Sequence, residues 1–247
     1  MSRNIDHEAA FAWWTPYVLK RRNRIIAAVN KCQAKKGFQF GIEVPTSVAD
    51  AIRIDRKNGN TLWQDAIKAE MDTVSVAFRV LEEDEVIPPG YQRIDCHLIF
   101  TVKMENFKRK ARYVAGGHRT EAPATLTYAS VVSRETVRVA LTIAALNALE
   151  VKAADVEGAY LTAPNVEKIW TVLGPEFGND AGKKAIVVRA LYGLKSAGAA
   201  FRNHMADCMA TLGYKPCKAD PDLWMKPATR PDTGEKYWTY VLFYVDD

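Results

Sequence analysis

Apolar residues recur at helical spacing in several stretches with clear start and stop signals. Trp63, Ile67, Met71 and Val74 fall on one face of a helix, opened by Thr61 and Gln64 in the arrangement of a capping box. Ser133 is placed to cap a second helix whose face carries Val137, Leu141, Ala144 and Ala148. A third runs through Phe201, Met205, Met209 and Leu212 and stops at Gly213. Nearer the start, Thr15-Pro16 supplies a cap and a first-turn proline for a basic amphipathic helix bearing Val18, Ile25 and Val29, which ends by Gly37. A short acidic helix is expected around 46–56, and a boundary near Gly59 makes residues 1–59 a basic N-terminal extension and linker and 60–247 the main domain.

Between the helices lie shorter apolar runs with the look of strands: VAFRVLEE, RIDCHLIFTVKME, RKARYVAGG, VKAADV, KIWTVL, AIVVRAL, DLWMK and KYWTYVLFYV. Turn signals separate them, notably Pro88-Pro89-Gly90 and Arg230-Pro231-Asp232-Thr233-Gly234. Helices and strands are mixed with no regular βαβ alternation and no internal repeat. The expected class is therefore α+β.

Composition alters this picture little. In 247 residues, 48% hydrophobic and 26% charged, a sizeable core is available, which excludes disordered, collagen-like and low-complexity classes. The net charge of +5 is small but uneven. Residues 1–37 carry a local +6 and residues 103–119 a local +5, where Lys103, Lys108, Arg109, Lys110, Arg112 and Arg119 oppose only Glu105. Two basic segments on a mildly acidic body suit a polyanion such as nucleic acid or a nucleoside triphosphate, although the first also reads as solvated surface. The four cysteines form no C-x-x-C pair and the four histidines complete no zinc spacing. No apolar leader and no uncharged 18-residue run is present, so neither secretion nor membrane insertion is expected, and the thiols are expected to be reduced.

The acids are more informative. Asp155 closes the apolar run VKAAD, and Asp246-Asp247 follow 239–245, a stretch almost entirely apolar or aromatic. A carboxylate at the tip of a core strand serves either as a turn or cap residue or as a ligand. Adjacent carboxylates repel unless a cation intervenes, and magnesium held by carboxylates is the usual solution. Three acids at two strand ends suit two-metal phosphoryl or nucleotidyl chemistry, with ions ~3.5–4 Å apart.

Seven blocks, NTLWQDAIKAEM, RKARYVAGGH, TYASVVSRETVR, AADVEGAYL, IVVRALYGLKSAGAAF, CKADPDLW and FYVDD, occur in this order. Together they resemble the reverse transcriptase of copia-type long-terminal-repeat retrotransposons, from about Asn60 to Asp247. The first 59 residues are similar to the segment that precedes this domain in the polyprotein. The resemblance implies a fingers-and-palm fold and DNA synthesis on RNA or DNA templates, with two magnesium ions or manganese in their place. It matches Asp155 to the first metal-binding aspartate and Asp246 and Asp247 to the second pair, the three catalytic residues. Tyr160, by residue type alone a core aromatic, matches the steric gate that excludes a ribonucleotide 2′-OH. Arg112, with Lys110 beside it, matches the basic fingers strand that meets the incoming triphosphate, and Lys103 is a further candidate. The ALYGLK block and the helix after it match the palm beneath template and base, with Ser196 where glutamine is commonest and Gly198 where proline is.

The same resemblance implies a primer–template and deoxynucleoside triphosphates as partners, together with the rest of a Pol polyprotein (integrase and RNase H). It also implies a virus-like particle in the cytoplasm with access to the nucleus. Y-V-D-D forms a hairpin turn in this family, and the sequence stops at Asp247. The expectation is thus a fragment truncated at that hairpin, thumb and RNase H absent, poorly active alone. Two other readings stay open: an inactive nucleic-acid-binding remnant, and an endonuclease using the same acids.

Overall fold

The computed structural model describes residues 37–117 and 129–244, together with Arg21 and Thr127. The expected basic helix after Thr15-Pro16 lies outside the described residues, Arg21, which is helical, excepted. The chain divides into two units, one of residues 1–66 and 100–111, the other of residues 67–99 and 112–247.

In the first unit, strands β1 (Phe38–Gln39) and β2 (Ile42–Glu43) pair antiparallel through a two-residue turn at Phe40-Gly41. Helix α1 (Val48–Asn58) starts at Ser47, whose Oγ accepts the Asp50 amide at 3.1 Å, and ends at Gly59 in the left-handed conformation, φ 64°. Helix α2 (Leu62–Val74) begins three residues later. The expected capping box is not what opens it. Asp55, 1% exposed on α1, accepts the Trp63 amide at 3.1 Å and the Gln64 amide at 2.9 Å, so a carboxylate from the preceding helix satisfies the orphan donors. Thr61 Oγ1 instead donates to Asp65. Trp63 is buried edge-to-face on Phe100, ring centroids 5.7 Å apart.

The second unit holds a four-stranded sheet, β3 (Phe78–Val80), β8 (Lys184–Val187), β7 (Ile169–Val172) and β4 (Gln92–Arg93) in spatial order. Its last pair is parallel and the others antiparallel. Strands β5 (Cys96–Val102) and β6 (Arg109–Ala115) pair in a separate two-stranded sheet. A hairpin of β10 (Leu223–Thr229) and β11 (Lys236–Leu242), extended by β9 (Lys215–Pro216), makes a third sheet. Helices α3 (Arg134–Leu146), α4 (Ala159–Thr162) and α5 (Ala197–Thr211) complete it. The mixture is the α+β arrangement that the pattern implies. The core gathers Val74, Tyr113, Tyr160, Ile169, Leu191 and Phe201 from different elements into one buried cluster.

Two further expectations fail. VKAADV is not a strand: residues 151–156 are coil and exposed, and none of the sheets of the described residues takes them up. An apolar run of that length becomes a strand only where a neighbouring edge supplies the ladder. Helix α3 forms and is capped by Ser133 as expected, but Leu141 is 52% exposed, Ala148 lies beyond the helix end, and Ala144 is its one buried residue. Periodicity specifies a face, not a partner for it.

Burial pushes the Cys96 thiol up to about 12, whereas Cys208 on α5 is exposed. Treating the native protein with a maleimide at pH 8 should label Cys208 quickly and Cys96 at least about 100-fold more slowly, because only the thiolate reacts. Peptide mass mapping over time reads both rates.

Candidate functional site

The second unit brings two of the expected site residues, Arg112 and Tyr160, onto one column of side chains. Strand β6 alternates buried Ala111, Tyr113 and Ala115 with Arg112, which is exposed on the other face. The Arg112 guanidinium lies over the Tyr192 ring, 5.0 Å from its centroid. Tyr192 in turn packs on Tyr160 with centroids 4.6 Å apart, and Tyr160 meets Phe201 of α5 edge-on at 6.1 Å. A cation, a half-buried ring and a buried ring are thereby stacked. Such a cation–π contact costs little to form here and holds the guanidinium in place on a surface otherwise open to solvent.

Local sequence explains why Tyr192 can reach Arg112. The Ala115 amide donates to the Tyr192 carbonyl at 2.8 Å, so the YGL loop is laced to the end of β6. Gly193 has φ 90°, and a Cβ there would come 2.2 Å from the Ala115 carbonyl oxygen; a Cβ on Gly117 would stand 2.2 Å from the Gly193 carbonyl oxygen. Only glycine permits either approach. The blocks RKARYVAGGH and ALYGLK, distant in sequence, are two halves of this contact.

Tyr160 is 5% exposed and belongs to the core cluster. Gly158, left-handed at φ 60°, starts the one-turn helix α4 and turns the chain so that Tyr160 points inward while 151–157 stay outside. Asp155 lies on that exposed segment and, among the described residues, no hydrogen bond or ion pair ties it. Its carboxylate oxygens are the hard donors that magnesium prefers, and the residue is exposed. Asp246 and Asp247 lie outside the described residues, and among the described residues no three His, Cys, Asp or Glu side chains cluster as a metal site. Lys110 is half-buried two positions before Arg112 on β6, and Lys103 is exposed. Ser196 is 1% exposed and turned away from solvent: its Oγ donates to Glu167 at 2.6 Å and its amide donates to the same carboxylate at 3.0 Å. Its hydroxyl and amide thereby tie the start of α5 to Glu167.

Sequence reasoning singled out neither Tyr192 nor a buried acid pair in CKADPDLW. Asp222, 1% exposed, accepts Arg202 Nε at 2.7 Å and the Ser130 hydroxyl at 2.5 Å. Its backbone carbonyl accepts the Phe243 amide at 3.0 Å, and the Phe243 carbonyl accepts the Val132 amide at 3.1 Å. The chain is therefore pinned on both sides three residues before Asp246. The available signal was two acids flanking a proline at the start of a strand, where acids are otherwise unexplained. Hydrogen bonds from the Thr136 hydroxyl and the Ser133 amide hold the Asp220 carboxyl below the usual carboxylate range. A depressed folded-state pKa adds stability above about pH 4 that is lost as pH falls through the folded value. Asp220→Asn should accordingly be less stable than wild type at pH 6, with the gap in urea midpoint narrowing below about pH 4. A gap constant from pH 6 to pH 3 would contradict this account.

Comparison with known proteins places the chain. A model of the family described as reverse transcriptase (RNA-dependent DNA polymerase) matches residues 83–247, two thirds of the sequence, and the chain belongs to that family. Its relatives are of the copia type. It is 25% identical over 212 residues to a retrovirus-related Pol polyprotein from transposon RE2 of Arabidopsis thaliana, covering 82% of this chain and 14% of that protein. With the corresponding polyprotein from transposon TNT 1-94 of Nicotiana tabacum it shares 27% identity over 214 residues, 82% of this chain and 15% of the relative. The chain thus spans about one seventh of the length of these relatives. No solved structure matches. Among the described residues no helix is long and apolar enough to cross a membrane.

Proposed function

We propose that the chain carries fingers and palm elements of an RNA- and DNA-templated DNA polymerase, in which a primer 3′-OH attacks the α-phosphate of a deoxynucleoside triphosphate and pyrophosphate leaves. The observation that carries this reading is the column of Arg112, Tyr192 and Tyr160, which sets a fixed cation beside two aromatic rings within a family whose description is reverse transcription. Arg112, with Lys110 on the same strand, binds the triphosphate. Tyr160, braced by Tyr192 and Phe201, bounds the space for the sugar. Ser196, through Glu167, and Asp222, through Phe243, position the elements around them.

Asp155, Asp246 and Asp247 would hold two magnesium ions, which when bound would neutralise phosphate charge and make the attacking hydroxyl easier to deprotonate. The protein's own contribution is orientation and fixed positive charge. The partners on this reading are primer–template, the nucleotides and the remainder of a Pol polyprotein with its integrase and RNase H, within a cytoplasmic particle with access to the nucleus.

Incorporation of a single nucleotide on a primer–template, with magnesium, with manganese and with chelator, is the direct test. Metal-dependent incorporation supports a polymerase. Salt-sensitive binding with no incorporation in any metal would favour the nucleic-acid-binding remnant, and strand cleavage the endonuclease.

A further inference from the structure

The first unit presents an exposed pair of aromatic rings on basic ground. Phe40, at the β1–β2 turn, is 44% exposed and Phe107, at the β5–β6 turn, is 51% exposed. Their rings meet edge-to-face with centroids 6.1 Å apart and planes at 69°. Both residues are left-handed, with φ 52° and 54°, a conformation that is a genuine outlier for a bulky side chain. With Gly41 at φ 78°, Phe40 takes a slot in the hairpin turn that asparagine, aspartate or glycine normally fills. Phenylalanine in two such slots carries a backbone cost while about half of each residue stays in solvent. Strain of this kind persists where it serves a site.

The rings are not loosely held. Gln39 Oε1 accepts the Val102 amide at 2.8 Å, which docks the β1–β2 turn on β5. The Lys103 amide donates to the Lys108 carbonyl at 3.0 Å to close the other turn, and Arg109 Nη1 donates to the Phe107 carbonyl at 2.9 Å. The surroundings carry a net positive charge: Lys103 and Lys108 are exposed on either side of the turn against the exposed Glu105 within it, and the acid Glu43 is already bonded to Arg53 and Lys57 at 2.9 and 3.0 Å.

We propose that Phe40 and Phe107 form a stacking platform for unpaired bases of a nucleic acid strand, with Lys103 and Lys108 meeting its phosphates. Fixed aromatic faces within a positive field are the recognition chemistry of single strands: every base has a face to stack, and the lysines hold the backbone without reading sequence. An apolar protein partner would have to desolvate those lysines to reach two rings. The proposal rests on the polymerase reading to the extent that a template supplies the unpaired strand, and it locates a template contact in the first unit.

The test is fluorescence anisotropy with the whole 247-residue chain, a labelled twelve-nucleotide oligothymidine and a blunt duplex, read across a salt series, with melting temperature measured on the same samples. Phe40→Asn and Phe107→Gly should each weaken single-strand binding at least about fivefold, while duplex binding changes less than about twofold. Melting temperature should stay the same or rise, because both substitutions suit left-handed backbone. Phe107→Trp should keep single-strand affinity, and Lys108→Gln should reduce the salt slope by about 0.7. Wild-type single-strand affinity in the Phe40 and Phe107 variants would overturn the platform while leaving the polymerase reading intact. A lower melting temperature with equal losses on both ligands would make the rings packing residues and overturn it equally. A chain that incorporates no nucleotide yet loses single-strand binding in these variants would keep the platform and remove the polymerase.

Discussion

Asp155→Asn is expected to abolish metal-dependent nucleotide incorporation, a loss of more than about 100-fold, since changes even in the groups behind a metal ligand reach that figure. The measurement is single-nucleotide incorporation by this chain joined to the segment that follows the matched region in the tobacco relative. The amide keeps the shape of the side chain and removes the charge on which a magnesium ion depends. Folding should hardly notice. Asp155 is exposed and untied among the described residues, so the change in stability should stay within about ±0.5 kcal/mol, and nucleic-acid binding, carried by lysine and arginine, should persist. Asp246→Asn should behave similarly, and Asp247→Asn more mildly. Incorporation near the wild-type rate in Asp155→Asn would remove that residue from the metal site. Unfolding of the variant would show that the exposed segment 151–157 is more tightly built than its surroundings indicate.

What could be read from the sequence divides along physical lines. Helices α2 and α5 were legible because several apolar positions repeat at one period and end at a recognisable stop: Gly213 has φ 82°, the left-handed end that its residue type announced. The β10–β11 hairpin was legible from two apolar runs and the turn between them. Contacts between segments far apart in sequence were not. Asp55 caps the next helix across Gly59, a bond that no local window distinguishes from a solvated acid on a charged helix. Tyr192 joins Arg112 to Tyr160 only because two glycine-containing loops approach within backbone contact. Asp222 binds Arg202 and Ser130 from two other elements. Residue type alone did not single out Asp55, Tyr192 or Asp222, because their roles depend on partners that periodicity does not encode. The acids proposed as metal ligands illustrate the opposite case: Asp155 stood out in the sequence, although the strand expected to carry it does not form.

Tyr160 separates packing from chemistry most sharply. Its ring is 5% exposed, stacked on Tyr192 and edge-on to Phe201, so Tyr160→Val should cost about 2–4 kcal/mol by the ordinary penalty for trimming a buried aromatic. If packing were its whole role, incorporation of ribonucleotides and deoxynucleotides would fall together with the folded fraction. A ring that also bounds the sugar acts on the ratio. Shortening it opens room for the 2′-OH, so kcat/KM for a ribonucleotide relative to its deoxynucleotide should rise at least about tenfold, while the deoxynucleotide loses far less. Tyr160→Phe preserves the ring and should leave the ratio near wild type. Arg112→Gln supplies the complementary control: it removes the cation stacked on Tyr192 and should raise KM for both nucleotide classes equally, leaving the ratio untouched. An unchanged ratio in Tyr160→Val, measured below its lowered melting temperature, would assign the ring to the core alone. A changed ratio in Arg112→Gln would instead mean that the column moves as one body, with sugar selection set by how Tyr192 seats Tyr160 rather than by Tyr160 itself.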